Sequence, residues 1–379
     1  MKLLITRIDL LAILGKVHSV VPLKPALPVL SHLLLEAVND QLILSATDLT
    51  VSICASAKAK VEEEGAIVLP ARKFFQLVRE LITSHVEIHS SHSEVAHINA
   101  GSSHFKMNGM NHTEFSSFPS LEEGTSLMIN NGILKEMLIL SSFAAARDDN
   151  RQVLNGVLFQ HCGNTATFVG TDGKRLSRVS TELSVLSLRE EKMTKYILPL
   201  KAVEEIIKLI NSKEESSKLT FLSDRMSIEV DNTLLITKLL TGQYPDIDRV
   251  IPKKSDTPIL LHREELISLL RQVSLFTKDY SSAVRFTLMP GELYLSATSG
   301  DLGEGNAKMI VNYEGSKLNI AFHPNYFLDI LRHSKDESIQ LSVSDTYSPG
   351  LITDSTQAHF VLMPMRIESN HTLATAEKT

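Results

Sequence analysis

The segment Ala71-Arg-Lys-Phe-Phe-Gln-Leu-Val-Arg-Glu-Leu81 has apolar side chains at Phe74, Leu77, Val78 and Leu81. This i, i+3, i+4, i+7 spacing is typical of an amphipathic helix that buries one face. The pattern occurs six times, and the first residues of successive copies are 64, 60, 69, 63 and 61 positions apart. Six helices are therefore predicted, in the windows 7–19, 71–83, 132–147, 200–212, 262–278 and 323–335.

Between these helices, apolar and polar residues alternate, as in Glu292-Leu-Tyr-Leu-Ser296. Such alternation predicts strands with one buried face. A longer repeat is also present, because a proline precedes every second helix, at Pro70, Pro199 and Pro324. The pair Thr47-Asp48 likewise recurs 124 positions later as Thr171-Asp172.

These repeats predict an α+β protein built from three tandem domains. Each domain would pack two helices side by side on antiparallel sheets, since one helix cannot cover a sheet alone. The predicted boundaries are 1–124, 125–255 and 256–367. The polar, aperiodic segment 368–379 is predicted to be a flexible tail.

The composition is that of a folded chain, with 379 residues, 43% of them hydrophobic, and a net charge of −6. It excludes a disordered or fibrous protein. Two cysteines, Cys54 and Cys162, form no disulfide framework, so we expect a cytoplasmic protein. Arg7 and Asp9 interrupt the apolar start, and no run approaches the roughly 18 apolar residues that span a bilayer. Export and membrane insertion are not expected.

Positive charge is concentrated in the predicted helices. The six windows hold 14 Lys/Arg and 8 Asp/Glu, whereas the rest of the chain holds 24 and 36. We call the four apolar positions of each predicted helix its apolar stripe. In four helices, the residue five positions after the first residue of the stripe is cationic: Arg79, Lys208, Arg271 and Arg332. Five residues turn the helix through about 500°, which places these cations opposite the apolar stripe.

Arg72 and Lys201, two residues before the stripe, point the same way. A solvated helix face rich in Lys and Arg is the ordinary explanation. Because the cations recur at the same rotational position on several helices, the pattern favours instead a surface that binds a phosphate backbone. No base-reading motif is present, so contact with duplex DNA would be independent of sequence.

No catalytic motif was found: GxGxxG, Walker A, GxSxG and HExxH are all missing from the sequence. We therefore predict a protein that is not an enzyme, with no cofactor and no metal. In a strand, His85 and His89 would lie about 13 Å apart, too far to share one ion.

The turn Thr171-Asp-Gly-Lys-Arg-Leu176 resembles a phosphate-gripping loop but lacks several glycines. A phosphate-binding enzyme that uses Thr171–Arg175 remains the alternative.

Four segments, in order on the threefold repeat, together resemble the bacterial DNA polymerase III β subunits, the sliding clamps. They are Arg151-Gln-Val-Leu-Asn-Gly156, Thr171–Leu176, Tyr244-Pro-Asp-Ile-Asp-Arg-Val-Ile-Pro252 and Met363-Pro-Met-Arg-Ile367. The resemblance covers residues 1–367. It implies three tandem DNA-clamp domains per chain and a head-to-tail homodimeric ring, a processivity factor for DNA replication that encircles duplex DNA.

The resemblance also implies partners. These are double-stranded DNA, a second copy of the chain, the DNA polymerase III catalytic subunit, an ATP-driven clamp loader, and repair polymerases, ligase and mismatch-repair proteins that attach through short peptide motifs. Family members commonly end near the Met-Pro-Met-Arg segment, whereas this chain adds 368–379. The tail could occupy the peptide pocket in part or remain in solvent.

Site residues follow from the resemblance by position. The partner-peptide pocket would comprise Leu154, Thr171, Gly173, Lys174, Arg175, Leu176, Pro245, Val250, Val361, Met363, Pro364, Met365 and Arg366, an adaptable apolar groove with arginine as a polar anchor. Lys24 and Arg151 would add DNA contacts. The subunit joint would set Phe105 and Met107 against Leu275 and Phe276, with Lys73 facing Asp301 and Glu304. Alternatively, these apolar residues only fill a domain core.

A direct DNA-binding or architectural module is a further alternative. It predicts similar affinity for linear and circular DNA. A clamp should instead leave linear DNA at its ends and remain on circles.

Overall fold

The structure is a computed structural model that describes residues 1–91, 94–115, 118, 124–183, 193–253, 257–277 and 283–366. Ile367 and the predicted tail 368–379 lie outside the described residues. The described part of the chain forms six α-helices. They are α1 (Arg7–Val17), α2 (Ala71–Glu80), α3 (Asn131–Ser142), α4 (Leu200–Leu209), α5 (Arg263–Ser274) and α6 (Pro324–His333). Short 3-10 helices occur at His18–Val20, Pro28–Ser31, His112–Glu114 and Gln152–Leu154.

Twenty-five strands complete the described elements. They are β1 (Lys2–Thr6), β2 (His32–Val38), β3 (Gln41–Thr47), β4 (Val51–Lys58), β5 (Lys60–Glu63), β6 (Gly65–Pro70), β7 (His85–Ser90), β8 (Val95–Ala100), β9 (Ser103–Asn108), β10 (Thr125–Asn130), β11 (Gly156–Cys162), β12 (Thr165–Thr171), β13 (Arg175–Glu182), β14 (Thr194–Pro199), β15 (Ser216–Phe221), β16 (Arg225–Val230), β17 (Thr233–Lys238), β18 (Ile259–His262), β19 (Val284–Met289), β20 (Glu292–Ser299), β21 (Gly303–Ile310), β22 (Leu318–Phe322), β23 (Ser338–Ser342), β24 (Gly350–Thr353) and β25 (His359–Leu362). None of the described helices has the length and apolar character needed to span a membrane.

The chain divides into two compact units. Unit 1 comprises Met1–Leu138, Gly156–Ala166 and Thr181–Gly242, and unit 2 comprises Ile139–Asn155, Thr167–Ser180 and the described residues from Gln243 onward. The three-domain boundaries predicted from the sequence stay a prediction.

Unit 1 holds a five-stranded sheet in the order β5-β1-β7-β8-β9 and an eight-stranded sheet in the order β10-β15-β16-β17-β4-β3-β2-β6. In it, β11 also pairs with β14. The eight-stranded sheet joins distant parts of the chain, because β17 pairs with β4 in antiparallel register, with Leu235 opposite Ile53.

Unit 2 holds a four-stranded sheet in the order β21-β20-β19-β22 and a run of strands in the order β12-β13-β25-β24-β23-β18. The pairs β13–β25, β18–β23, β19–β20, β19–β22, β20–β21, β23–β24 and β24–β25 are all antiparallel, as predicted.

The six predicted apolar stripes lie on the faces that the helices turn toward the protein core. In α1, the stripe residues Leu10, Ile13, Leu14 and Val17 are all buried. The two stripes that end in serine are buried to their last residue, since Ser141 and Ser334 are also inaccessible. The helices nevertheless end a few residues before the ends of the predicted windows. In α2, α4 and α6 this is because the residue directly after the helix has extended backbone.

One contact recurs in each helix pair and was not predicted. Arg7, at the start of α1, donates hydrogen bonds to the carbonyls of Val78 and Arg79 at the end of α2. Lys135 of α3 donates to Ile210, just after α4. Arg263, at the start of α5, donates to Leu331 and Ser334 at the end of α6. A cation thus caps the negative end of the second helix in every pair.

Candidate binding surfaces

The turn Thr171–Arg175 is closed by its own side chains. The Thr171 hydroxyl donates to the Arg175 carbonyl (2.6 Å) and accepts from the Gly173 N–H (3.1 Å). Asp172 Oδ1 accepts from the N–H groups of Lys174 and Arg175 at 2.9 and 3.0 Å. The backbone φ of Gly173 is +84°, in the left-handed region that glycine adopts without strain.

The earlier copy of this turn has the same design. Thr47 Oγ1 accepts from the Leu49 N–H, and Asp48 Oδ1 accepts from the N–H groups of Thr50 and Val51. In both copies the amides that would have to hold a phosphate are already paired. The alternative of a phosphate-binding enzyme at Thr171–Arg175 therefore has no support in this turn.

The turn adjoins the end of strand β25. The antiparallel register sets Arg175 opposite Leu362 and Leu176 opposite Val361. Beyond the strand, the Met363 N–H donates to the Lys174 carbonyl at 2.9 Å. Two predicted pocket segments that are far apart in the sequence are thereby placed side by side in unit 2.

The segment 244–250 lies against the same strands. The Tyr244 hydroxyl donates to the Val169 carbonyl, and burial raises the pKa of this hydroxyl. Asp248 pairs with Arg178 of β13 at 3.0 Å. Pro245 is exposed and Val250 half-buried, and both are held beside β12 and β13 by these contacts.

The thirteen predicted pocket residues all belong to unit 2, but their exposure differs. Four are buried: Leu154, Thr171, Leu176 and Val361. Those with accessible surface are Gly173, Lys174, Arg175, Pro245, Val250, Met363, Pro364, Met365 and Arg366. The buried members can shape the floor of a groove, and the others can contact a partner directly.

Arg175 has its own partners within the protein. Its guanidinium contacts Asp172 at 3.2 Å and Asp329 of α6 at 2.6 Å. The ring of Tyr326 lies 4.7 Å from the guanidinium carbon and that of Phe143 5.6 Å from it. Its side chain is only 12% exposed. Arg175 is therefore held by contacts within unit 2, whereas Arg366 is exposed. That either side chain anchors a partner peptide stays a prediction.

Sequence reasoning missed Phe143, Tyr326, Asp329 and His323 around this groove. His323 stacks on Tyr326 with centroids 4.3 Å apart, and its buried Nδ1 has no hydrogen-bond partner among the described residues. Burial lowers the pKa of His323, and the nearby charges of Lys174 and Arg175 lower it further. Only the proline that follows His323 marked this position in the sequence.

The predicted DNA-facing cations lie on accessible surface. Lys201 is partly buried, and the other seven are exposed: Lys24, Arg72, Arg79, Arg151, Lys208, Arg271 and Arg332. The structure brings Arg72, Arg79 and Lys201 together around one cleft of unit 1. That DNA meets this surface stays a prediction.

Several of these cations have acidic neighbours. Lys208 lies 2.8 Å from Glu205, Arg332 2.9 Å from Asp329, and Arg79 3.3 Å from Glu80. Lys201 contacts Asp48. Arg151 donates to Asp149 from its side chain and its backbone, which lowers the pKa of Asp149 to about 2. The net positive potential of the helix face is therefore smaller than a count of cations indicates.

The residues predicted at the subunit joint lie on two edge strands and on other segments: Phe105 and Met107 on β9, Glu304 on β21, Asp301 in the turn before β21, Leu275 and Phe276 directly after α5, and Lys73 on α2. Strand β9 is the edge of the five-stranded sheet, and β21 is an edge of the four-stranded sheet. Phe105 and Met107 stand opposite the buried Ile98 and Ala96 but are themselves only half-buried. They extend the apolar face of the sheet to its open edge.

Directly after α5, Leu275 is 73% exposed. Phe276 is half-buried, and a Cβ at Gly305 would lie 2.4 Å from its ring, so glycine is needed there. Phe276 thus partly packs within its own unit, in line with the alternative that these apolar residues fill a domain core, whereas Leu275 does not. Lys73 of α2, Asp301 in the turn before β21 and Glu304 of β21 are all exposed.

The described residues contain no group of three or more His, Cys, Asp or Glu side chains arranged to hold a metal ion. His89 faces His97 across β7 and β8, with ring centroids 6.4 Å apart.

Three family models match the chain in succession. They are described as the DNA polymerase III beta subunit N-terminal domain (residues 1–119), central domain (128–246) and C-terminal domain (248–366). The chain is 47% identical to the beta sliding clamp of Chlamydia pneumoniae over 98% of its length and all of that protein. It is 27% identical to the beta sliding clamp of Haemophilus influenzae over 97% of its length and all of that protein.

Solved structures agree. The DNA polymerase sliding clamp from Pseudomonas aeruginosa superposes with a TM-score of 0.92 at 27% identity, and that from Bacillus subtilis with 0.91 at 25%. Each match covers 97% of this chain and all of the other chain.

Proposed function

This chain belongs to the DNA polymerase III beta subunit family, and from that membership we propose that it is a sliding clamp, two copies of which close into a ring around duplex DNA. The observation that carries the proposal is the match of three successive family domains over residues 1–366. A ring holds DNA by topology, so a net charge of −6 is no obstacle to residence on DNA.

The cationic helix face would line the hole. Exposed cations at one phase of several helices can contact phosphates wherever the duplex lies, because such contacts carry no sequence information. Their acidic neighbours weaken each contact, which suits a surface that has to slide. We assign DNA contact to the eight cations named above.

The edge strands β9 and β21 would form the joint between copies. Both present unpaired backbone at a sheet edge, and such edges pair readily with another chain. Half-buried Phe105 and Met107 on β9 and exposed Leu275 after α5 would bury apolar surface on pairing. The exposed charges of Lys73 against Asp301 and Glu304 are complementary in sign.

The groove of unit 2 would bind partner proteins through short apolar peptides. Its buried floor, its exposed Met363 and its half-buried Met365 offer an adaptable apolar surface. We propose that the replicative polymerase, the ATP-driven loader and repair proteins use it. The protein itself would carry out no catalysis, and work on chromosomal DNA would place it in the cytoplasm.

Retention on DNA tests the main proposal. The protein is loaded onto nicked circular DNA with a clamp loader and ATP, and half of the sample is then linearised. We expect the protein to remain on circles and to leave linear DNA unless its ends are blocked. Equal retention on both forms would favour a direct DNA-binding module.

A deletion tests the groove. Removing Met363–Arg366 should abolish capture of a polymerase-derived apolar peptide in fluorescence anisotropy while the protein stays dimeric. Because Met363 and Met365 each donate a backbone hydrogen bond, folding must be checked by thermal melting. Met363→Ala with Met365→Ala is the gentler variant, and normal peptide binding by both variants would contradict the assignment.

A further inference from the structure

Unit 1 contains a cleft of about 590 Å³ between the end of α1 and the outer face of α2. Its lining includes His18 and Leu23 from the segment after α1, Phe75 and Arg72 from α2, and Lys201 from α4. A space of this size suits a small organic group, since ligand pockets commonly measure about 300–1,000 Å³. No residue of the predicted peptide pocket takes part.

The charge of the cleft is positive. Arg72 is exposed and has no acidic partner within ion-pair distance among the described residues. Among the residues that the structure describes, Arg79 forms an ion pair only with the exposed Glu80, which screens it weakly. Lys201 is held by Asp48 and by the Val20 carbonyl, so it is fixed at the rim. Lys24 follows Leu23 and is exposed.

An aromatic pair lies among these cations. The rings of His18 and Phe75 stack with centroids 4.0 Å apart and planes 12° from parallel. The Leu14 carbonyl lies 3.0 Å from His18 Nδ1, which fixes the ring. Both residues are half-buried, and the neighbouring Leu23 is 81% exposed. The chain has no tryptophan and few aromatics, so a stacking platform on its cationic surface is an unusual feature.

A duplex cannot use such a platform, because its bases are already stacked and paired inside the helix. An unpaired nucleotide can, since stacking on an aromatic side chain and contact of its phosphate with arginine are the two elements of single-strand binding. Each base stacked in this way contributes measurably and without regard to sequence.

We propose that this cleft binds one unpaired nucleotide of single-stranded DNA, with the base against the His18–Phe75 pair and the phosphate at Arg72 and Arg79. The inference rests on the proposed DNA-binding function but goes beyond it, because encirclement of a duplex needs no such site. The cleft would give the ring a local preference for positions where one strand is unpaired.

The test uses the full-length dimer and a fluorescein-labelled oligo(dT) of about ten nucleotides, a length within the range that one single-strand binding surface covers. Anisotropy should show binding to the single strand and weaker binding to a duplex of equal length. Arg72→Gln and Phe75→Leu should each weaken single-strand binding about fivefold or more. Lys218→Gln, the same loss of charge on β15, should leave it unchanged.

Because Phe75 is half-buried, Phe75→Leu could disturb folding, so the exposed Arg72→Gln carries the comparison if melting shows a loss. Photocrosslinking with a bromodeoxyuridine-substituted oligonucleotide adds a second readout, and the crosslink should map to residues 71–80 or 18–24. Crosslinks elsewhere, or unchanged binding by Arg72→Gln, would overturn the proposal. Retention of the loaded ring on circular DNA is measured separately, so failure of either proposal can be recognised without the other.

Discussion

His323 shows how a single half-buried side chain can make the stability of unit 2 sensitive to pH. Its imidazole is stacked on Tyr326, and its buried Nδ1 has no partner among the described residues. The charges that face it are Lys174 and Arg175, which oppose its protonation, and Asp172 and Asp329, which favour it. Desolvation is the largest influence, so the pKa of His323 is lowered from 6.5.

A lowered pKa means that the unfolded chain binds this proton more readily than the folded chain. The free energy of unfolding should therefore fall as pH drops below the ordinary histidine range. We expect His323→Asn to lose less thermal stability than the parent protein between about pH 7.5 and pH 5.5. Asparagine is also a good helix N-cap, so the comparison rests on the difference between the two pH values. An equal loss of thermal stability in both proteins would contradict the lowered pKa of His323.

Residue-level prediction from the sequence succeeded where the residues are contiguous. Thr171 to Leu176 could be recognised as a turn because Thr-Asp-Gly has a strong local preference. Tyr326, Asp329 and Phe143 could not be found, because no local pattern distinguishes them from core or surface residues of their helices. Their role comes from Arg175, which lies far away in the sequence.

At the level of elements, each helix pair depends on a cation that joins its two members. Arg263 donates to two carbonyls at the end of α6 and is 24% exposed. Charge-assisted hydrogen bonds of this kind contribute about 1.5–3 kcal/mol. Arg263→Met should therefore lower the free energy of unfolding of unit 2 by about 1–3 kcal/mol in a urea titration.

The matched control is Arg249→Met. Arg249 is 86% exposed and pairs only with Asp246 in the described part of the chain. Its replacement should change stability by no more than about 0.5 kcal/mol. A comparable loss in both variants would show that removal of charge, and not loss of the cap, is the cause.

The cationic helix face can be tested as a set. Replacing Arg79, Lys208, Arg271 and Arg332 by alanine should impair loading and shorten residence on nicked circular DNA, because each cation lost removes a phosphate contact. The residues are exposed, so the melting temperature should change little. The control removes four exposed lysines from strands instead: Lys58, Lys195, Lys218 and Lys238. Equal retention by the two quadruple variants would refute the special role of the helices.

The elements themselves were largely predictable. Five of the six described helices fall within their predicted windows, because a repeated apolar stripe is a strong signal, and α3 begins one residue early, at Asn131. The order of strands was not, since β17 pairs with β4 across a long stretch of chain and nothing local sets that pairing. The capping role of Arg7, Lys135 and Arg263 also escaped, because a cation at a helix start is unremarkable until its partner helix is placed.

For the whole molecule, the proposed assembly would depend on the edge strands β9 and β21 and the residues beside them. Leu275 is exposed in the single chain, so a charge there should not disturb folding but should be costly in a closed joint. Leu275→Asp should weaken dimerisation at least about tenfold. In light scattering, the mass should shift from twice 42.0 kDa toward 42.0 kDa.

Tyr347→Asp provides the comparison for this variant. Tyr347 is 82% exposed and lies in the same unit, on a turn held by Asp345. We expect it to remain dimeric. Loss of the dimer in both variants, or in neither, would remove the evidence that Leu275 lies in the joint.

The two edges, β9 and β21, belong to different sheets, so each copy would offer one kind of surface to its neighbour and receive the other. A contact of this heterologous kind does not itself limit the number of copies, and it closes after two only when the angle between them returns the last edge to the first. A substitution that altered this angle, far from either edge, would leave one unsatisfied strand at each end. Copies could then add without limit into a helical filament, so a variant with intact edges should be inspected for fibres as well as for single chains.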